Sequence, residues 1–399
     1  MAIATGVNKR VTYKAETTWG TAAGASGGQV LRRVTSSFNL EKESYQSGEI
    51  RTDYQVQDMR HGVRTATGSI SGELSPGTYD DFLAAAVAKD FAAITLGGAV
   101  SCTVTVTGST YRIIRSTGSW ITDGVKVGMV VRATGLTATA DNNKNLLVSA
   151  VTTTDLTVIP LNGAALTAQA TGTSVTITAP GKQAYAPTTG HADKSFTVEE
   201  WYSDIAQSEV FTGLKVNTVS MSIPASGLVT CDFGFMGKDL AQTGTSAYFT
   251  APTAQGTTGI FAAVNGVVIV NGVAVALVTD ASINIARNLQ NATVVGSNSV
   301  ADIFEGRIAV DGSFSTYFQD ATFRDMFNNE TEVSLALAIT TSNAANADFM
   351  TVVLPRIKVN SNTRNDGESG ITASHNFTAL LGTGAAPVST TIAFQDSSI

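Results

Sequence analysis

The chain has 399 residues, 43% of them hydrophobic and only 14% charged, and its 25 basic and 32 acidic side chains give a formal net charge of −7. That length predicts two to four domains at roughly 100–200 residues each. The low charge excludes a disordered tail and a heptad coiled coil, and the acidic balance argues against a protein that holds nucleic acid by neutralising phosphates.

In chain order, the N-terminal stretch MAIATGVNKRVTYK lacks the apolar segment of a secretion signal, so a chain folded in a cytoplasm is expected. A strand ending near Leu40 and another starting near Gly62 flank a polar stretch, residues 41–61. Hairpin loops normally span about two to five residues, so this stretch reads as an interaction arm. Residues 75–89 predict a helix: Pro76 and Gly77 make a turn, and Thr78 with Asp81 has the spacing of a capping box. Tyr79, Phe82, Leu83, Ala86 and Val87 fall on one face of that helix. Strands follow wherever apolar residues alternate with threonine, serine or aspartate: Val100, Cys102, Val104 and Val106; Val175 and Ile177; Val219, Met221 and Ile223; Cys231, Phe233 and Phe235. A further strand is expected at residues 196–202.

Residues 260–278 are apolar enough to imitate a membrane span, but Asn265-Gly266 and Asn271-Gly272 are hairpin signals flanking the β-branched run Val267–Val270, so a three-strand meander is predicted. A second long polar stretch covers residues 286–305. A second short helix is expected at residues 322–329, again opening on Thr-x-x-Asp with Thr322 and Asp325, and a strand follows at residues 333–340.

Sliding the chain by 244 residues lays residues 58–83 over 302–327. Asp58 then meets Asp302, Gly62 meets Gly306, Gly68 meets Gly312, Ile70 meets Phe314, Thr78 meets Thr322 and Asp81 meets Asp325. With small shifts the match continues upstream, Phe38-Asn39-Leu40 on Ile283-Asn284-Ile285, and downstream, Lys215-Val216-Asn217 on Lys358-Val359-Asn360. Three stretches in the same order imply an internal duplication. The helix leads almost directly into a strand in the second copy but not in the first, so residues 92–190 read as an inserted domain. Its Trp120 and its turns at Asp123-Gly124 and Asp141-Asn142 suit a small β-barrel or sandwich projecting from the parent module. The expected organisation is a first module at 1–91 and 191–240, the insert at 92–190 and a second module at 241–399.

Catalytic and metal signatures are weak. Cys102 and Cys231 form no CxxC pair, and His61, His191 and His375 are scattered. No Walker-type phosphate-binding loop occurs, and the acidic run Asp193, Glu199, Glu200, Asp204 and Glu209 reads as a solvated strand and loop. No enzyme activity and no cofactor are expected. Duplicated arms on a β module favour polymer contacts over chemistry.

Residues 48–87, GEIRTDYQVQDMRHGVRTATGSISGELSPGTYDDFLAAAV, resemble the tail tube proteins of long-tailed, non-contractile bacteriophages of the siphovirus type. Arg51, Asp53, Asp58, Met59, Arg60, His61, Gly62, Gly68, Leu74, Ser75, Pro76, Gly77, Thr78, Tyr79, Asp80 and Asp81 carry the likeness. Residues 120–128 are also similar to inserts in such proteins. The direct match covers about the first quarter of the chain, and the duplication extends it to the last third, where the second copy lacks the Pro-Gly turn.

The resemblance implies a mainly β fold: two tandem β-sandwich or barrel modules, each with one short helix, plus the inserted β domain on the tube exterior. It implies a structural virion protein, assembled in the host cytoplasm, whose trimeric, pseudo-sixfold rings stack into a tail tube that conducts DNA into the host. Partners would be further copies of the chain, a tape measure protein, a tail terminator and distal tail or baseplate proteins. Double-stranded DNA would pass transiently, with no membrane insertion by this chain. Ring-stacking contacts are expected from Tyr45, Gln46, Arg51, Asp53, Tyr54 and Gln55 in the first arm and Asn291, Ser297 and Asn298 in the second. A secretion-type tube and a carbohydrate-binding surface protein are the alternatives.

Overall fold

Side chains alternate across a strand, so the period-two runs in this sequence each bury one face. The computed structural model describes residues 3–275, 277–366, 368–384 and 389–398. It is mainly β, and the α-helices among the described residues are α1 (Asp80–Val87) and α2 (Thr322–Asn328). The first half of the main body contains β1 (Lys9–Ala15), β2 (Thr35–Gln46), β3 (Met59–Glu73), β4 (Phe196–Tyr202), β5 (Gln207–Ile223) and β6 (Thr230–Gly237). The second half contains β7 (Gly266–Val270), β8 (Val278–Ala286), β9 (Ala309–Tyr317), β10 (Glu332–Thr340), β11 (Phe349–Arg364) and β12 (Thr372–Ala379).

Eight of these strands form one antiparallel series, β2–β3–β6–β5–β8–β9–β12–β11. The long strands β5 and β11 serve two layers. Their N-terminal parts pair with β4 and β10, which in turn pair with β1 and β7. Between the layers runs one apolar core, in which Phe38, Ile70, Phe233 and Phe235 meet Phe196, Phe211 and Phe82 of α1, and Ile283, Phe314 and Phe377 meet Leu335 and Leu354.

The halves share their registers. Phe38 stands opposite Gly68 and Leu40 opposite Ala66 in the first; Ile283 stands opposite Gly312 and Ile285 opposite Val310 in the second. Ile70 faces Phe233, and Phe314 faces His375. The β5–β6 pairing shifts between Val216 and Thr218, and the β11–β12 pairing between Val359 and Ser361.

Tyr79 at the N-cap of helix α1 and Phe82, Leu83, Ala86 and Val87 within it are buried, the face that the spacing indicates. The expected capping box is absent. Thr78 Oγ1 lies 2.6 Å from Ser75 Oγ, Asp81 accepts from Tyr13 Oη at 3.0 Å, and no side chain caps the helix. Non-local partners have taken both side chains. At α2 the N-cap position is Ala321 and no Thr322–Asp325 box forms; Asp320, just before it, accepts from Thr322 N at 2.8 Å.

The three-strand meander is also corrected. Asn271 (φ 50°) and Gly272 (φ 78°) do make a tight turn between β7 and Val273–Ala274. Asn265 instead ends a short 3-10 turn, and Gly266, with extended backbone, opens β7 opposite Ile339. Ala276, within the same stretch, lies outside the described residues.

Between α1 and β4 the chain builds a separate closed barrel of six strands from Val100–Thr107 to Gln169–Thr178. Its core holds Cys102, Trp120, Leu146, Leu156 and Val175, and Trp120 Nε1 donates to Thr154 O at 3.1 Å. The flanking segments Ala92–Ala93 and Lys182–Tyr185 pair with each other, so entry and exit lie side by side. They belong to the main body, because Lys182–Tyr185 also pairs with Ala393–Asp396, which joins β11. The barrel does not simply project from the first half. Val130, Leu147 and Leu161 pack on Ile269, Ala336, Ala338 and Phe349 of the second half. Buried Asn145 donates from its backbone N to Ala345 O and from Nδ2 to Ala347 O, both at 2.7 Å.

Candidate assembly surfaces

Alternation along the eight-strand series sends Phe38, Ile70, Val219, Phe233, Ile283, Phe314 and Phe377 into the core. On the opposite face stand Asn39, Ser69, Asp232, Ser220, Asn284, Asp311 and Asn376. The acids on this face are Glu41, Glu73, Asp232, Asp280 and Asp311. The lysines in the same alternation, Lys215 and Lys358, are held in ion pairs with Asp193 and Glu330, each at 2.7 Å.

Cross-strand hydrogen bonds tie the face down. Thr67 donates to Glu41 at 2.9 Å, Ser220 to Asn284 at 2.8 Å, Asn284 to Asp311 at 3.1 Å and Ser315 to Asp280 at 3.1 Å, and Ser71 bonds Asp232. The result is a wall of short hydroxyls, amides and carboxylates. Such a surface repels phosphate over a Debye length of about 8–10 Å at ordinary salt. Sequence reading did not single out these acids as a group, although each occupies a polar position of a period-two strand.

The two halves meet where β5 pairs with β8, from Thr218 opposite Ala286 to Ile223 opposite Ala281. Val219 and Met221 from one half and Ile283 and Ile285 from the other bury the core side of this seam. Asn217 finishes it: its O accepts from Arg287 N at 2.8 Å and its Oδ1 from Leu289 N at 3.1 Å.

The first arm is a projecting extension of the β2–β3 hairpin. Tyr45 stands opposite Arg60 and Gln46 opposite Met59, and Ser47 N donates to Asp58 O at 2.9 Å. Beyond that bond the tip is solvent-exposed, with Ile50 and Tyr54 at 102% and 98% exposure. Arg51 pairs with Asp53 at 2.9 Å, and the Asp53 carboxylate also accepts from Gln55 N at 3.3 Å. Gly62 leaves room for the Tyr45 ring, since a Cβ there would lie 2.4 Å from it; Gly68 does the same for Phe38 at 2.2 Å. His61 is exposed opposite Ser44, and Asp58 holds Met59 N and Arg60.

The second arm folds back. Gln290–Ala292 pairs with Asp302–Phe304, and Leu289, Val300 and Ile303 pack against Trp19, Val63 and Met236 of the first half. Asn298 O accepts from Arg64 N at 2.9 Å, and Ser297 Oγ is spent on Ser299, leaving Asn291 exposed on the short ribbon. The two arms thus differ in shape, because only the second contains buried apolar anchors.

At the turn before α1, Gly77 adopts φ +72° and its N donates to Asp396 Oδ2 at 3.0 Å. Asp80 lies beside Lys182 at 2.9 Å. Burial, with Asp396 nearby, raises its carboxyl to about 6. The acidic run has no shared site. Glu199 is buried on Ser208 and the backbone at Tyr248 and Phe249, Glu200 pairs with Lys9 at 2.7 Å, and Asp204 accepts from Thr5 N at 2.7 Å. Among the described residues, no three His, Cys, Asp or Glu side chains gather as a metal site, and no helix is long and apolar enough to cross a membrane.

A continuous sheet with a tethered polar face and a projecting hairpin is the frame of a structural β protein. The chain belongs to the phage tail tube protein family, whose model matches residues 6–395. It is a structural component of the virion tail, from a family of tube-forming proteins and not of enzymes. No curated protein matches the chain.

Proposed function

We propose that this protein is a duplicated tail tube subunit of a long-tailed, non-contractile phage, in which three chains close a pseudo-sixfold ring and stacked rings conduct DNA during ejection. The observation that carries this reading is the seam between β5 and β8, which joins two halves of matching register into one sheet. The modules are residues 1–91 with 191–240 and residues 241–399, and within 92–190 the inserted piece is the barrel, Val100–Thr107 to Gln169–Thr178. Six modules per ring divided by two per chain gives three chains.

In this reading the face bearing Asp232, Asp280 and Asp311 lines the lumen, where an acidic wall lets DNA slide without binding. The inserted barrel sits outside. In support, it packs on Ala336 and Ala338, whose neighbours Leu335, Leu337 and Ile339 point the other way, into the main core. The exposed tip at Arg51, Asp53, Tyr54 and Gln55, next to Tyr45 and Gln46, makes the ring-to-ring contact, with Asn291, Ser297 and Asn298 offering the receiving side. A tape measure protein within, a terminator at one end and distal tail or baseplate proteins at the other complete the tail, assembled in the host cytoplasm. Negative-stain imaging of the concentrated protein tests this. Rings or tubes with three protrusions per ring are expected; six equivalent chains or six protrusions per ring would overturn it.

A further inference from the structure

Among the described residues, the sheet has two free edges that repeat the two sides of its internal seam. On the first half, β2 pairs only with β3, whereas its counterpart β8 pairs with both β9 and β5. On the second half, residues 361–364 of β11 pair only with β12, whereas the counterpart stretch of β5 pairs with both β6 and β8. Each edge therefore lacks the neighbour that its counterpart has.

The shared registers fix how the edges would meet. Matching Val219–Phe233 to Asn362–His375 aligns β5 with β11, and matching Phe38–Gly68 to Ile283–Gly312 aligns β2 with β8. Carrying over Ser220 opposite Asn284 and Thr218 opposite Ala286, we infer that β11 of one copy pairs antiparallel with β2 of the next, Thr363 opposite Asn39 and Ser361 opposite Glu41. This inference rests on the ring reading and specifies its seam.

The chemistry of the two seams differs in a consistent way. On the polar face, Thr363 opposite Asn39 reproduces the hydroxyl-to-amide contact of Ser220 and Asn284, 2.8 Å long in the internal seam. Asn360 stands where Asn217 closes the internal seam. On the core side, the internal seam pairs Val219 with Ile285 and Met221 with Ile283. The outer seam instead sets Asn362 opposite Leu40 and Arg364 opposite Phe38. The buried Asn362 Oδ1 has no hydrogen-bond partner among the described residues. A polar edge resists indiscriminate strand pairing, so the intramolecular seam is apolar and permanent while the intermolecular one is polar and formed on assembly.

Cysteine pairs test the register. Residues directly opposite across antiparallel strands have Cβ atoms about 4.5–5.5 Å apart, against about 7–8 Å for diagonal neighbours. Asn39→Cys with Thr363→Cys, and separately Glu41→Cys with Ser361→Cys, should give disulfide-linked dimers and trimers when assembled rings are oxidised. The displaced pair Glu41→Cys with Thr363→Cys should link at least about tenfold less. Each single variant is the control, and the natural Cys102 and Cys231 are buried. Equal or better linking by the displaced pair, or no linking by either matched pair in rings visible by microscopy, would overturn the register while leaving the ring reading intact. Absence of rings in the unmodified protein at any concentration would sink both.

Discussion

Replacing His375 with phenylalanine should change stability little at neutral pH and stabilise the second half as the solution is acidified. His375 is 1% exposed and lies between the rings of Phe314 and Phe323, at 5.0 and 4.8 Å. Its Nε2 is 3.4 Å from Thr316 Oγ1, and its Nδ1 has no partner among the described residues. Burial, helped by the Arg364 guanidinium, lowers its pKa to about 4 from an ordinary 6.5. Between those values the unfolded chain binds a proton that the folded chain refuses, so stability is lost as pH falls through that window. At about 1.36 kcal/mol per pH unit the loss approaches roughly 3 kcal/mol near pH 4.

Asp80 acts in the opposite sense. Its carboxyl is raised to about 6 from 3.8. Its contribution is therefore complete below about pH 4 and lost as pH rises through 6. Wild-type protein should consequently show a shallow profile, and the difference between variant and wild type isolates the histidine. That difference should be small at pH 8, where relief of the unpartnered Nδ1 is offset by the loss of Nε2 as partner to the buried Thr316 Oγ1, and should grow by roughly 3 kcal/mol in favour of the variant toward pH 4. Urea unfolding of unassembled protein from pH 8 to 4.5 measures it. A difference that does not change with pH would refute the reasoning.

Removing residues 48–56, beyond the Ser47–Asp58 bond, should leave the unfolding midpoint unchanged and yield rings that do not stack; full-length tubes from this variant would refute the arm assignment. Replacing residues 97–179 by a short linker keeps Ala92–Ala93 beside Lys182–Tyr185 and should give rings of unchanged bore without protrusions. The melting temperature should fall in that variant, because Ile269, Ala338 and Phe349 lose their cover; a chain that cannot fold would count against a separable insert. Asp232→Lys, Asp280→Lys and Asp311→Lys together should make tubes retain duplex DNA at low salt, with log K falling linearly against log salt. Equal retention by wild-type tubes would contradict the lumen assignment.

Much of this protein is local and could be read directly. Alternation at Val219, Met221 and Ile223, or at Cys231, Phe233 and Phe235, depends only on successive side chains pointing to opposite faces, and these residues are all buried. The same holds for the apolar face of α1 and the Asn271-Gly272 turn. The repeated Phe38 and Ile283, or Lys215-Val216-Asn217 and Lys358-Val359-Asn360, were visible because side-chain type tracks register.

Other outcomes depended on which groups met across the fold. Thr78 and Asp81 had the spacing of a capping box, but Ser75 and Tyr13 engage them instead. Gly266 carried a turn signal, yet the open edge of β10 draws it into a ladder at Ile339. The second arm looked as polar as the first, but Leu289, Val300 and Ile303 within it find a cluster at Trp19, Val63 and Met236. The insert came to rest on the half it does not interrupt, because Ala336 and Ala338 there present an apolar surface that Val130 and Leu147 can cover. The seam between the halves was likewise hidden in the sequence: period two states which side chains share a face, but edge-to-edge pairing is decided by the backbone groups that the whole fold leaves free.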